Sequence, residues 1–127
     1  MTSFIPPKAS LWFEIPVTDM DAAQRFYGAV LQNTLSLEES GPNPIAMFTA
    51  REPGASGHVY PGKPAPAGTG PTVHLAVAAP LEDGMRRVTE NGGKVVSPAI
   101  EIPAGRFAYC LDLDGNSFGL FVPTGSA

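Results

Sequence analysis

The chain has 127 residues, 43 % hydrophobic and 16 % charged, a balance that suits one folded domain with one core and excludes disorder. Net charge is −4 and the isoelectric point is near 5.0, with Arg86–Arg87 the only adjacent basic pair, so nucleic acid is not an expected partner. No apolar run reaches the roughly 18–20 residues of a membrane span, and residues 1–10 lack the apolar stretch of a secretory signal, so no membrane contact and a cytoplasmic location are expected.

Residues 11–17 alternate with a period of two, which predicts a strand. Phe13, Ile15 and Val17 share one face, and Trp12, Glu14 and Pro16 the other. Thr18 is the expected N-cap of a following helix, with Asp21 placed as in a capping box. Ala23, Phe26, Tyr27, Val30 and Leu31 then recur at helical spacing. Strands are expected at 34–38, 45–50 and 57–60. His58 falls in a Gly-rich stretch, 54–60, and is expected to be exposed. Residues 61–71 are rich in Pro and Gly, and Lys63 is their only charge. They read as a connection between two modules of one domain, because neither half alone could bury a sufficient core.

The second half repeats the plan. Val73, Leu75 and Val77 share one face of a predicted strand at 72–77, and Thr72, His74 and Ala76 the other. Pro80 suits a first helical turn, where its missing N–H costs nothing. Leu81, Met85 and Val88 form the apolar stripe, and Gly92-Gly93 ends the helix. Strands are expected at 94–97, 106–112 and 117–122. Asp114-Gly115-Asn116 is a strong turn signal between the last two. Glu14 and Val17 fall on His74 and Val77 with one offset of 60, so the halves register on each other. The only cysteine, Cys110, lies in an apolar run and is expected to be a buried thiol. No GxxxxGK[ST], GxGxxG or GxSxG motif is present, which removes phosphate-cradling loops and the serine nucleophile elbow.

The pattern resembles the vicinal oxygen chelate superfamily, the glyoxalase, bleomycin-resistance and ring-cleaving dioxygenase group, and within it a glyoxalase-like branch of small proteins. Phe13-Glu14-Ile15-Pro16-Val17-Thr18-Asp19-Met20, Arg25-Phe26-Tyr27 and Val30-Leu31 carry the resemblance. Asn91-Gly92-Gly93-Lys94-Val95-Val96 and Leu111-Asp112-Leu113-Asp114-Gly115-Asn116 extend it through the second half. It implies an α+β fold of two pseudo-symmetric βαβββ modules, here 8–60 and 72–123, whose sheets curl round a central cavity with the helices outside. It also implies a small-molecule ligand and a homodimer. Metal enzymes of the family draw ligands from the first and last strand of each module. Here the matching positions hold Trp12, Gly119 and a residue near Thr72. No cofactor is therefore expected, since a catalytic metal needs about three protein ligands.

The chemistry rests on Glu14 and His74, which strand alternation places toward the cavity at equivalent points of the two modules. They could meet as a carboxylate-oriented base, or simply satisfy each other. Trp12, Tyr109 and Phe121, with Gly119 leaving space between them, could form a stacking pocket or could be core filler. Arg51 and Arg106 stand as lone arginines that could anchor an anion or be solvated. Three readings stay open: a metal-free acid–base enzyme of lyase or isomerase type, a binding protein of bleomycin-resistance type, and a metalloenzyme with a rearranged site of Glu14, His74 and His58.

Overall fold

The two periodicities become nine strands and two helices in a computed structural model, which describes residues 3–52 and 56–125. The first half holds β1 (Trp12–Val17), α1 (Met20–Leu31), β2 (Leu35–Glu38), β3 (Ile45–Phe48) and β4 (Ser56–Pro61). Its sheet has the order β1-β4-β3-β2, with β1 parallel to β4 and the other pairs antiparallel. The second half holds β5 (Val73–Ala76), α2 (Leu81–Glu90), β6 (Lys94–Val95), β7 (Ile100–Ile102), β8 (Gly105–Leu111) and β9 (Ser117–Pro123). Its sheet runs β5-β9-β8-β6, again with a parallel first pair, and β7 also pairs with β8.

The class is α+β, and neither sheet closes into a barrel. One core joins both halves: Phe26, Tyr27 and Val30 of α1, Leu81 and Val88 of α2, and Ile15, Val59, Leu75, Cys110, Phe118 and Leu120 of the sheets. Burial pushes the Cys110 thiol up to about 11, which leaves it protonated and inert. No helix among the described residues is long and apolar enough to cross a membrane.

Two local expectations change. The N-cap of α1 is Asp19, whose carboxylate accepts from the Ala22 N–H at 3.0 Å. Thr18 instead reaches across the molecule, donating its hydroxyl to Asp114 at 2.6 Å and its N–H at 3.2 Å. The strand β7 has no counterpart in the sequence reading, because three residues between Pro98 and Pro103 are too few to show a period.

Asp114 belongs to the turn between β8 and β9, and that turn ties the second sheet to the first half. Asp112 is 6 % exposed and accepts four hydrogen bonds. They come from the Tyr27 hydroxyl at 2.6 Å, from the Asp114 and Asn116 N–H groups at 2.9 Å, and from the Asn116 side chain at 2.9 Å. The same Asn116 amide donates to the Pro16 carbonyl of β1 at 2.8 Å. Gly115 has φ +82°, and a Cβ there would run into Ala67, so the turn also packs against the connection. Burial, reinforced by the Asp112 carboxylate, holds the Tyr27 phenol well above its usual 10, so it stays a donor.

Removing the carboxylate orphans a buried hydroxyl and two turn N–H groups. Asp112→Ala is expected to lower unfolding stability by about 3 kcal/mol or more, and Tyr27→Phe by about 1–2 kcal/mol. Urea denaturation of both variants checks this; equal losses would show that the carboxylate is not the tether.

Candidate functional site

The face of the first sheet away from the helices carries its polar chemistry. β4 lies between β1 and β3, and its register sets His58 beside Glu14 on one side and Met47 on the other. His58 is only 8 % exposed, contrary to the exposed position expected for it. The Trp12 indole N–H donates to His58 Nδ1 at 2.9 Å. An indole can only donate, so Nδ1 presents its lone pair and the ring's proton sits on Nε2. That nitrogen lies 3.2 Å from Glu14 Oε1, while the Glu14 side chain stays 64 % exposed. The result is an ordered row from a half-exposed indole through a buried imidazole to an exposed carboxylate.

The corresponding face of the second sheet is aromatic. His74 pairs with Gly119 across β5 and β9, and Tyr109 and Phe107 of β8 pair with Gly119 and Phe121. A Cβ on Gly119 would overlap the His74 ring at Nδ1, so the space expected there is filled by the imidazole. Phe107 and Phe121 stack at 5.6 Å with planes 2° apart. His74 stands edge-on to both, at 5.1 and 5.7 Å. Tyr109 closes the group at 5.3 Å from Phe107 and 5.9 Å from His74, and is 38 % exposed. Phe107 was not singled out from sequence, although its period-two relation to Tyr109 marks it. Burial lowers the pKa of His74 below its usual 6.5.

Glu14 and His74 therefore each find their neighbours within their own sheet, not in each other. The strands that carry them border shared clefts. One of about 240 Å³ is lined by Phe13, Phe48 and His74, and one of about 140 Å³ by Glu14, Pro16, Val73, Asn116 and Ser117. A larger concavity, about 470 Å³, lies between the start of α2 and the ends of β7, β8 and β9, and contains neither Glu14 nor His74. Arg106 at its wall is no lone anion anchor: its guanidinium holds Glu82 at 2.7 and 3.2 Å and lies 3.3 Å from Glu101. This pair pulls the Glu82 carboxyl down to about 2. Arg51 is exposed.

Residues 10–120 match the family described as the Glyoxalase/Bleomycin resistance protein/Dioxygenase superfamily. The chain belongs to this superfamily. Among curated proteins none matches the sequence. Solved structures share the superfamily fold with it. The hypothetical protein SA1046 from S. aureus is 20 % identical, with a TM-score of 0.69 over 92 % of this chain and 99 % of that one. The genomically encoded fosfomycin resistance protein FosX from Listeria monocytogenes is 15 % identical, with a TM-score of 0.70 over 95 % and 94 %. TnmS3, an antibiotic binding protein from Streptomyces sp. CB03234, is 22 % identical, with a TM-score of 0.66 over 95 % and 100 %.

The divalent-metal site of the superfamily's metal enzymes does not fit these residues. Among the described residues no three His, Cys, Asp or Glu side chains gather to hold an ion. The set of Glu14, His58 and His74 fails because His74 is built into the ring cluster of the other sheet. The indole N–H also takes up the Nδ1 lone pair of His58.

Two outcomes follow from the second sheet. Gly119→Ala is expected to lower the melting temperature, and His74→Ala to relieve that penalty in the double variant; a coupling on the order of 1 kcal/mol in a double-mutant cycle checks the contact. The folded His74 ring takes up a proton less readily than in the unfolded chain. Its contribution is therefore present above pH 6.5 and is lost as pH falls below that value toward the folded pKa. Denaturation at a series of pH values is expected to show this loss, and His74→Phe to flatten it.

Proposed function

We propose that this superfamily member binds a small planar organic molecule in a cavity framed by the two sheets, holding it rather than converting it. The observation that carries this reading is the ring cluster over Gly119. Phe107, Phe121 and His74 brace one another, and Tyr109 leaves part of its ring open at the rim. Rings so arranged offer faces and edges to a flat ligand. The precedent of TnmS3, described as an antibiotic binding protein, supports holding as a function of the fold. A homodimer belongs to the same reading, with twice the 13.3 kDa chain mass as its signature in light scattering.

An enzymatic reading has one observation in its favour, the carboxylate–imidazole contact at 3.2 Å. In it Glu14 accepts a proton from an enolisable or carbonyl substrate, and the imidazole beside it is His58 rather than His74. Loss of turnover in Glu14→Gln, once a converted compound is in hand, would favour that reading over binding alone.

Thermal unfolding with 1-naphthol, indole and quinoline tests the binding reading. A bound probe is expected to raise the melting temperature with its concentration, adding about 2.7 kcal/mol at a hundred times Kd. Phe121→Ala and Tyr109→Ala are expected to weaken the response about tenfold or more. No response from any planar probe, together with turnover of a metabolite, would overturn it.

A further inference from the structure

We infer that the cleft beside Glu14 takes a cationic amine or amidine group of a small organic ligand. Trp12 and His58 act there as positioning residues. Among the described residues, the Lys and Arg ion pairs join Lys8 to Glu52, Arg86 to Asp83 and Glu90, and Arg106 to Glu82 and Glu101. None involves Glu14. Its contact is with His58, whose Nδ1 already accepts the indole N–H. The Glu14 carboxylate thus has no Lys or Arg set against it among the described residues.

Geometry gives that charge a place to act. The cleft of about 140 Å³ is lined by the β1 residues Glu14 and Pro16, by Pro71 and Thr69 of the connection, and by Val73 and Asn116 of the second half. Glu14 is the one charged side chain among its described lining residues. Asn116 is committed to Pro16 and Asp112, and Ser117 to the Thr72 hydroxyl at 2.6 Å. The free recognition group is thus the carboxylate. A buried imidazole contacts it from behind at 3.2 Å, while most of the side chain stays exposed toward the cleft. A carboxylate so placed recognises N–H donors that carry positive charge, by charge-assisted hydrogen bonds. Phe107, Tyr109, Phe121 and His74 of the ring face do not line this cleft, so this assignment stands apart from that face.

Titration of ¹⁵N-labelled protein with benzamidine, and with benzamide as its neutral counterpart, tests it. Benzamidine is expected to move the Trp12 indole and His58 imidazole resonances saturably, and benzamide to leave them in place. Glu14→Gln is expected to weaken benzamidine about tenfold or more while the fold is kept. In the free protein the His58 nitrogens are expected to show a protonated Nε2 and an unprotonated Nδ1. Trp12→Phe is expected to lose that single pattern and to weaken benzamidine several-fold. Equal shifts from benzamide, undiminished binding in Glu14→Gln, or no shift with millimolar benzamidine would each overturn the inference. Benzamide resting on the second sheet would move Tyr109 and His74 signals instead, so failure here is distinguishable from failure of the ring-face reading.

Discussion

Asp112 sits where the second sheet meets the first half, and its carboxylate is shut away from water. Burying a charge is costly unless donors replace the lost water. Here four do, one from α1 and three from its own turn. Each donor is useful twice. The two turn N–H groups fix the reversal from β8 to β9, which sets the register of the aromatic strands. The Tyr27 hydroxyl fixes α1 against that reversal, while Asn116 and Asp114 secure the two ends of the β1–α1 junction. The placement of β1, and with it Glu14, is thereby linked to the placement of β9.

From that shared frame the two sheets present unlike surfaces. Parallel pairing at β1 and β4 brings an acid beside a histidine; parallel pairing at β5 and β9 brings a histidine beside a glycine. In the first case the ring is covered, and hydrogen-bonded by an indole. In the second it lies over the glycine and leans on benzene rings, with its basicity reduced by partial desolvation. The same residue type is thus a polar link on one sheet and a hydrophobic prop on the other. The difference comes from what stands across the strand.

Period-two alternation in β1 and β5 was legible because each strand has one face in the core. Ile15 and Val17, and Leu75 and Val77, are buried, while Glu14 and His74 are not. The ends of the helices were nearly legible too, but Thr18 and Asp19 are both good caps. Only the distant Asp114 decides between them by engaging Thr18. The partners of Glu14 and His74 differ from the ones expected. Equivalent positions in two modules invited a Glu14–His74 contact, whereas pairing between neighbouring strands gave Glu14 to His58. The signal for His58 existed: residues 57–60 read as a strand, and alternation sets His58 opposite the buried Val59. Its small and Gly-rich surroundings hid it by imitating a turn. β7 could not be seen at all, since its pairing with β8 is a property of the sheet and not of three residues.

The contact between His74 and Gly119 makes two positions one unit of inheritance. A side chain of any size at 119 displaces the ring, and loss of the ring uncovers the buried glycine. The two sites are expected to change together or hardly at all. In families with this fold, the pairing of small residue and imidazole would then serve as a marker of descent.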